Sequence, residues 1–430
     1  MGNALCKSKQ NVDKNRKFNE NVQRCLSMKD SLYLVKYGLL AIVLSVLLAY
    51  YNPYDADTTL KTRMDKVLNS LLKQEKSVQV SGQVKIAVGY GACKDIFVDA
   101  KHVMGSKFPK NQPKNYNEIS NFEELNEMFA YFFSHGAAAE RFCSKDEVFE
   151  ELVKQAEQVP DHRVALGGNA PVMAKRFAQE GAEVLLAARM TEDFKSNIDA
   201  NIQVTGTNID TDDIHLILEY KRNEVWGNWQ APRANRFIVH SDRNNPTLSS
   251  VESFEDPLGK FKPNLLVVGG LQMMDNYPFG PGERQARLEK VKKQMLAQGS
   301  NTRVHFEMAS FVDETLLQDL TSLVIPYADS LGMNEQELPN LRSMLMFGNI
   351  SVVSDSNPRT AVTLDQIRDV YRILSGNVEG RPLTRLHLHT LAYQAILVAQ
   401  GSAWKNNRFA AVKASLTANR HVCASHKVCG

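Results

Sequence analysis

The sequence has little excess charge and few cysteines, and both shortages exclude classes of protein. Lys and Arg total 51 against 48 Asp and Glu, so the net charge is +3, whereas nucleic-acid binders usually carry a clear basic excess. Six cysteines in 430 residues exclude a small fold held together by disulfides. The remaining composition, 43% hydrophobic and 23% charged, is typical of a globular chain of one or two domains with no nucleic-acid partner.

Several motifs for nucleotides and metals are absent as well. The sequence contains no G-x-x-x-x-G-K-[ST], no H-E-x-x-H and no C-x-x-C, so a P-loop and the common zinc sites are not supported. The segment Gly89-Tyr-Gly91 begins like the dinucleotide fingerprint, but Lys94 stands where its third glycine would be. A side chain there blocks the close helix–strand packing of that motif, which disfavours a nicotinamide dehydrogenase.

Residues 37–51 form an uncharged apolar run with tyrosines at both ends, as membrane-interface belts have. Residues 1–36 carry eight Lys or Arg and three Asp or Glu, and such a basic flank stays cytoplasmic. The run is short for a span, which takes about 20 apolar residues. We predict a signal anchor that places the rest of the chain across the membrane; a cleaved signal peptide and a buried core helix are the alternatives.

This pattern predicts four segments. They are a basic cytoplasmic tail (1–36), the anchor (37–51), an amphipathic stalk (52–80) and a catalytic domain (81–430). The stalk is predicted from apolar residues at helical spacing, and a helix on the membrane surface is its alternative. Those residues are Leu60, Met64, Val67, Leu68, Leu71 and Leu72.

Short β-branched runs alternate with amphipathic stretches through the rest of the chain. This alternation predicts an α/β fold, with a mostly parallel, doubly wound sheet covered on both faces and ligands bound beyond the carboxyl ends of its strands. Loop-like stretches at 108–121 and 223–235 would edge a smaller lid, and 275–283 is a third loop. Predicted strands are 84–88, 163–166, 184–187, 215–220, 237–240, 265–268, 304–306 and 386–388. Predicted helices include 122–133, 170–180, 283–296, 314–323, 364–374 and 408–416.

Two glycine-containing turns are candidates for a ligand site. Asp95 follows a strand end and small residues, so it could accept hydrogen bonds from hydroxyl groups; alternatively it caps a turn. Gly167 and Gly168 stand at a strand–helix junction, with Asn169 at the expected N-cap. A backbone without side chains lets a ligand approach closely, although a plain turn and cap would look the same.

Three carboxylates complete the candidate residues. Glu140 follows the small-residue run Gly136-Ala-Ala-Ala, which would leave room for a ligand or simply begin a helix. Glu307 and Glu337 each lie just past a strand-like run. Mg²⁺ is usually held by one or two carboxylates, waters and substrate phosphates, so this pair suits it; solvated surface acids are the alternative.

Taken together and in order, six segments resemble the ADP-dependent glucokinases, and in particular their animal branch, which carries an N-terminal membrane or signal segment and is directed to the endoplasmic reticulum. Each segment alone is weakly specific. The resemblance runs from about Val84 to about Cys423. The segments are Gly136-Ala-Ala-Ala-Glu-Arg-Phe142, Gly167-Gly-Asn-Ala170, His215-Leu-Ile-Leu-Glu-Tyr220, Ala234-Asn-Arg-Phe-Ile238, Leu331-Gly-Met-Asn-Glu-Gln-Glu-Leu338 and Arg385-Leu-His-Leu-His-Thr-Leu391.

The resemblance implies a ribokinase-like fold with a lid, and transfer of the β-phosphoryl group of ADP to the 6-hydroxyl of glucose in glycolysis by a monomer. It implies that Glu307 and Glu337 organise Mg²⁺ through its waters. Fructose 6-phosphate kinases share the fold, but a carboxylate at Glu140 would repel a sugar phosphate. The sugar site it implies consists of Asp95, Glu140, Gly167, Gly168, Asn169 and His215.

The sequence departs from the family pattern in three places. Gly91 stands where the family usually has Asn, and Gly269 where Ser is common. The G-x-G-D motif, whose Asp deprotonates the acceptor hydroxyl, does not occur in the sequence. No catalytic base is therefore assigned. Two function classes remain: an ADP-dependent sugar kinase, of which this chain would be an inactive form, and a non-catalytic, membrane-anchored sugar binder or regulator.

Overall fold

The computed structural model describes residues 28–51, 56–78, 82–311, 313–350, 357–376 and 380–423. Most of the expected basic tail, 1–36, lies outside them. The chain divides into two compact units, 1–76 with 418–430 and 77–417. Numbered along the chain, the described strands are β1 Lys85–Gly89, β2 Cys93–Asp99, β3 Ala139–Phe142, β4 Arg163–Gly167, β5 Glu183–Ala187, β6 Ile202–Thr205, β7 Ile214–Tyr220, β8 Val225–Trp226, β9 Trp229–Gln230, β10 Asn235–His240, β11 Leu265–Val268, β12 Arg303–Glu307, β13 Ser330–Asn334, β14 Arg385–His389 and β15 Gln394–Val398.

The described helices confirm the predicted ones, with ends that agree to within four residues except that the helix predicted at 408–416 continues to Cys423, and several short helices are added. Two 3₁₀-helices cover Leu271–Met274 and Ile325–Tyr327. The α-helices are α1 Met28–Tyr51, α2 Ala56–Ser77, α3 Ala100–Met104, α4 Phe122–His135, α5 Asp146–Glu157, α6 Asn169–Gln179, α7 Glu192–Lys195, α8 Val251–Phe261, α9 Glu283–Leu296, α10 Glu314–Leu323, α11 Glu337–Phe347, α12 Thr360–Ser375 and α13 Asn407–Cys423.

The smaller unit contains α1 and α2. The expected anchor, 37–51, lies in α1, and the expected stalk coincides with α2. Leu68 of α2 is buried, and Glu75 near its end accepts two hydrogen bonds from the Arg420 guanidinium, at 2.8 and 2.5 Å. Within the described residues, no helix combines the length and the apolar content that crossing a bilayer requires.

An eight-stranded sheet forms the main body of the larger unit, in the order β15-β14-β13-β12-β11-β1-β5-β6. All neighbours are parallel except the edge pair β14–β15. Side chains alternate between two apolar layers because successive residues of a strand point to opposite faces. Ala87 and Leu266 pack with α8 to α12 on one face, whereas Val88 and Leu186 pack with α6 on the other. The predicted doubly wound α/β sheet is confirmed.

A second, five-stranded sheet has the order β3-β10-β7-β2-β4 and mixes parallel and antiparallel pairs. The prediction that β4, β7 and β10 belong to the mostly parallel sheet is therefore wrong. A hydrophobic core covers one face of this sheet and joins Ile96 and Leu216 to Phe129 of α4 and Leu152 of α5. The opposite face, called the open face below, carries polar side chains, among them His215. This smaller sheet corresponds to the lid expected from the sequence.

Three local predictions also need correction. The stretch 223–235 is not a plain loop, because β8 and β9 pair within it. Asp95 does not lie in the turn after β1 but inside β2. The small-residue run before Glu140 does not begin a helix, since Ala139–Phe142 is a strand at the edge of the second sheet. In the last two cases pairing with strands far away in sequence decided the local structure, whereas β8 and β9 form a short local hairpin.

Candidate active site

The open face of the second sheet brings three of the predicted sugar residues together. Asp95 of β2 and His215 of β7 are direct partners across two parallel strands. Glu140 of β3 lies two strands beyond β7, and its Oε1 is 3.4 Å from Nδ1 of His215. Two carboxylates therefore flank one imidazole, an arrangement that offers a polyhydroxyl ligand several acceptors at once.

The predicted glycine turn lies against Asp95. A Cβ built on Gly167, the last residue of β4, would lie 1.9 Å from Oδ1 of Asp95, so the Asp95 side chain needs a glycine there. Gly168 has φ of +88° and is itself the N-cap of α6, whereas Asn169 is the first helical residue. The predicted N-cap role of Asn169 is therefore wrong.

Burial and charge set the protonation of these groups. Burial raises the pKa of Asp95. Burial alone would lower the pKa of His215, but the charges and hydrogen bonds of Asp242 and Cys93 together outweigh burial and raise that pKa well above its usual value. His215 Nε2 lies 3.0 Å from Oδ2 of Asp242. The imidazole is therefore a cation at neutral pH, held between carboxylates on both of its nitrogens.

Asp242 was missed in the sequence, although it anchors this site. Its side chain is fully buried and accepts a 2.6 Å hydrogen bond from Nδ2 of Asn245. Asn245 also bonds both the backbone nitrogen and the backbone oxygen of Ala92, each at 3.0 Å. The signal in the sequence was the polar run Ser241-Asp-Arg-Asn-Asn245 directly after a strand, since such positions often carry ligand-binding residues.

The Asn245 amide also explains the departure at Gly91. Gly91 has φ of +82°, and a Cβ there would lie 2.3 Å from Oδ1 of Asn245. The backbone conformation and the contact both favour glycine. An amide group therefore occupies the space beside residue 91, although it belongs to Asn245. Gly269 differs, because the nearest atom to a Cβ there is 3.7 Å away, so a small side chain would fit.

The predicted metal residues lie at the carboxyl end of the main sheet. Glu307 is the last residue of β12. Its Oε2 lies 2.9 Å from Nε2 of His305 and its Oε1 lies 3.0 Å from Nε2 of His389, at the end of β14. Burial alone would raise the pKa of Glu307, but these two hydrogen bonds outweigh it and hold the pKa well below its usual range. Glu307 is thus a fixed negative charge.

Glu337 begins α11, one strand further along the sheet. Its oxygens accept hydrogen bonds from the backbone and side-chain nitrogens of Asn334, at 2.9 and 2.7 Å. Burial raises the pKa of Glu337 to about 7. Gly332 of β13 gives Glu307 its room, because a Cβ there would lie 1.9 Å from Oε2 of Glu307. Neither His305 nor His389 was assigned a role from the sequence.

These two carboxylates fit Mg²⁺ by their chemistry, as oxygen donors of which one is firmly charged. Within the described part of the chain, they do not converge with a third ligand atom into a closed set. Their oxygens are also already hydrogen-bonded. Mg²⁺ commonly keeps several of its waters. Contact through metal-bound waters is therefore the mode that this arrangement suits.

Comparisons with known proteins agree with this architecture. Residues 84–429 match the family described as ADP-specific phosphofructokinase/glucokinase conserved region. The ADP-dependent glucokinase of Bos taurus is 32% identical over 354 residues, which cover 80% of this chain and 70% of the bovine protein. A probable ADP-dependent glucokinase of Caenorhabditis elegans is 28% identical over 398 residues, 87% of this chain and 78% of that protein.

Solved structures share the fold at lower identity. An ADP-dependent kinase in complex with fructose 6-phosphate and ADPβS superposes with a TM-score of 0.62 at 17% identity, covering 84% of this chain and 79% of the other. A hypothetical ADP-dependent phosphofructokinase from Pyrococcus horikoshii OT3 gives 0.59 at 15% identity, covering 81% and 84%. The fold of this chain is therefore that of these ADP-dependent kinases. From the family match and the bovine relative together, we conclude that this chain belongs to the ADP-specific phosphofructokinase/glucokinase family of ADP-dependent sugar kinases.

Proposed function

We propose that the sugar acceptor is glucose and that the reaction is transfer of the β-phosphoryl group of ADP to its 6-hydroxyl, giving glucose 6-phosphate and AMP as a step of glycolysis. The observation that supports this proposal is the set Asp95, His215 and Glu140 on one open sheet face, with Oε1 of Glu140 only 3.4 Å from His215. Carboxylates beside an imidazole accept and donate hydrogen bonds to hydroxyl groups. The glucokinase names of the two relatives point the same way.

Charge favours glucose over a sugar phosphate. Asp95, Glu140 and Asp242 surround His215, and the carboxylate of Glu140 would repel a phosphate group placed beside it. The guanidinium next to Glu140, that of Arg141, is already bonded to the backbone oxygens of Tyr116 and Glu140 at 3.0 and 2.7 Å. A phosphate dianion would therefore meet like charges that it cannot neutralise, and like charges in close contact cost several kcal/mol.

We expect glucose to bind and fructose 6-phosphate not to bind detectably. Calorimetric titration of the chain with each sugar, without nucleotide, measures this directly. Glu140→Gln is the informative variant, because it keeps the side-chain size and removes the charge. We expect this variant to have a smaller difference between its affinities for glucose and for fructose 6-phosphate than the unmodified chain. Tight binding of fructose 6-phosphate by the unmodified chain would contradict the proposal.

We also propose that Mg²⁺ is held at Glu307 and Glu337 through its waters. When bound, the ion neutralises charge on the phosphate oxygens of ADP. The chain's own contribution is to fix the carboxylates. His305 and His389 hold both oxygens of Glu307, and Asn334 holds Glu337 at the start of α11. Phosphate oxygens of bound ADP would supply further oxygen ligands.

A non-catalytic sugar binder is the second candidate. The observation that favours it is the missing G-x-G-D, since no Asp of the 430 residues stands in that motif. The sugar residues, Glu307 and Glu337 would remain in place in such a protein. Sugar binding without phosphoryl transfer is the result that would distinguish it from the kinase.

We further propose that the chain is a monomer anchored in the endoplasmic reticulum membrane by residues 37–51, with residues 52–430 in the lumen. The basis is the charge difference between 1–36 and the apolar run. The sequon at Asn349, followed by Ile350 and Ser351, would be glycosylated only in the lumen, and Asn349 is exposed.

Protease treatment of sealed microsomes tests this topology. We expect the C-terminal domain to resist digestion until detergent is added, because the membrane would shield it. We also expect treatment with a glycosidase to increase the electrophoretic mobility of the unmodified chain, because it removes the glycan, and to leave the electrophoretic mobility of Asn349→Gln unchanged. Complete digestion of the domain without detergent would contradict a luminal location, and the unglycosylated variant serves as the size control.

A further inference from the structure

Two histidines face each other across neighbouring strands of the second sheet. His215 of β7 and His240 of β10 are direct partners in the antiparallel pair, and their ring centroids are 5.1 Å apart. Asp242 lies two residues past His240. The three side chains each offer one ligand atom, and these atoms all lie within 4.8 Å of one another. Such convergence of two imidazoles and a carboxylate is a ligand set in its own right.

Two atoms of this set are buried without a hydrogen bond. They are Nδ1 of His240 and Oδ1 of Asp242, which lie 3.5 Å apart. The exposed fractions of the two residues are only 5% and 0%. A buried polar atom without a partner costs roughly 1–3 kcal/mol, and an ion bound between these two atoms would satisfy both of them.

We propose that His215, His240 and Asp242 bind a divalent transition-metal ion such as Zn²⁺. Imidazole nitrogens and one carboxylate oxygen are ligands that Zn²⁺ accepts in a four-coordinate site, with a fourth position left for water. Mg²⁺ prefers oxygen ligands, so this site would not compete with Glu307 and Glu337 for Mg²⁺.

The surrounding charges favour a dication at this position. The carboxylate of Asp242 has no contact with solvent, and its Oδ2 lies 3.0 Å from Nε2 of His215. Asp95 and Glu140 lie on the same face. A metal ion would compensate these carboxylates in place of protons on the imidazoles, and a ligating imidazole must be neutral.

A second ligand set shares His215 but fits less well. Cys93, Asp95 and His215 also converge within 4.8 Å. Metals bind the thiolate form of cysteine, however, and burial raises the pKa of the Cys93 thiol far above its usual value. The thiol also lies 3.3 Å from Oδ1 of Asp95, to which it donates. We therefore assign the ion to the two-histidine set.

The proposed site has a consequence for the sugar. An ion on Nε2 of His215 would leave Nδ1 directed at Glu140 and would couple metal binding to glucose binding, so that each ligand changes the affinity for the other by the same factor. This consequence rests on the proposed function, since it needs His215 in the sugar site. Metal binding itself does not, and it can be measured without sugar, nucleotide or catalysis.

Titration of the full chain with Co²⁺, a spectroscopic substitute for Zn²⁺, tests the proposal. We expect one ion per chain, with the visible absorption bands of a low-coordinate cobalt site and no thiolate charge-transfer band. His240→Gln and Asp242→Asn should each lower the affinity at least about 10-fold. Cys93→Ser and His389→Gln are matched controls, one for the alternative set and one for the histidines near Glu307, and both should keep the unmodified affinity.

Thermal unfolding with and without Zn²⁺ shows whether each variant folds and adds a second measurement. A ligand that binds only the folded state raises its stability, so Zn²⁺ should raise the Tm of the unmodified chain and of Cys93→Ser but not that of His240→Gln. Unchanged Co²⁺ affinity in His240→Gln, a thiolate band, or loss of binding in His389→Gln would overturn the assignment. Glucose affinity measured without metal tests the sugar site separately.

Discussion

Glucose 6-phosphate formation by the 430-residue chain is expected to be indistinguishable from background. The acceptor hydroxyl must lose its proton as the phosphoryl group arrives, and assistance by a general base is worth about 10²–10⁴-fold. Each donor that neutralises the transferring group adds about 10²–10³-fold. The resemblance assigns both tasks to G-x-G-D, which this sequence does not contain. Glu307 cannot substitute as the base, because both of its oxygens are held by histidines.

A version of the chain extended through a G-x-G-D segment is the matched positive control. It should be active, prefer ADP to ATP and require Mg²⁺ when both forms are compared at equal folded concentration. Robust turnover by the 430-residue form would contradict the expectation. The G-x-G-E turn at Gly280–Glu283, which opens α9, would then be the first place to look. Glu283 is exposed and accepts a 3.1 Å hydrogen bond from the backbone nitrogen of Gly280, and Glu283→Gln would show whether it acts as the base.

Asp95→Ala and Glu140→Ala are each expected to bring glucose binding below detection. Truncation of a carboxylate leaves sugar hydroxyls unpaired in a partly buried site, at roughly 1–3 kcal/mol per lost contact. Each lost contact thus corresponds to about 5- to 150-fold in affinity, at 1.4 kcal/mol for each factor of ten, and the factors multiply because one carboxylate can accept from more than one hydroxyl. Titration calorimetry on both variants and on the unmodified chain measures the effect.

Glu219→Ala is the control for these two variants. Glu219 lies on the same sheet face four residues beyond His215, but it is exposed and paired with Arg163 at 3.1 Å. We expect its glucose affinity and its unfolding temperature to stay unchanged. Asp95→Asn adds a further comparison, since it keeps the shape and removes the charge. Unchanged glucose affinity in both alanine variants would remove Asp95 and Glu140 from the sugar site.

Local patterns in the sequence predicted five of the eight strands of the main sheet but missed β6, β13 and β15, of which β13 is the most instructive. The segment Ser330-Leu-Gly-Met-Asn334 has a glycine at its centre, and glycine weakens a strand prediction. The structure shows why glycine stands there. Oε2 of Glu307 occupies the space of a Cβ on Gly332, a close approach between two strands that no local pattern reveals. Such a glycine in a strand interior often marks this kind of contact.

The division into two sheets could not be predicted for a similar reason. The run His215-Leu-Ile-Leu-Glu-Tyr220 is almost continuously apolar, which suits a strand buried on both faces of a parallel sheet. In the structure Ile217 is nearly buried although it lies on the open face. A sheet covered on one face is recognised in a sequence by polar and apolar residues in turn. The apolar residue Ile217 interrupts this pattern in β7.

The candidate site was predicted where charge and glycine coincide, and missed where the partners are far apart in sequence. Asp95, Glu140 and His215 were found. Asp242 was not, because its importance comes from the contact of its Oδ2 with His215, 27 residues away. His389 was missed likewise, since it lies 82 residues from Glu307. The polar run after β10 marks the region of Asp242, but no local pattern names the distant residue that such a side chain contacts.

The four connections between the two sheets have a mechanical consequence. They join β1 to β2, β4 to β5, β6 to β7 and β10 to β11. Given the pairing directions, all four leave or enter the second sheet at the same end of its strands. The second sheet is thus attached to the main sheet at one end of its strands only, and this end can act as a hinge. Asp95 lies close to the hinge.

A rotation of the second sheet about this hinge displaces each residue in proportion to the distance of that residue from the hinge. With a rise of about 3.3 Å per residue, a turn of about 10° would move Asp95 by about 1 Å but Asp99, at the far end of β2, by about 3.5 Å. Such a rotation would thus widen the space between the two sheets at the far ends of the strands, while the residues of the predicted sugar site near the hinge keep their spacing. Substrate could enter and leave without the binding residues being rebuilt in each cycle.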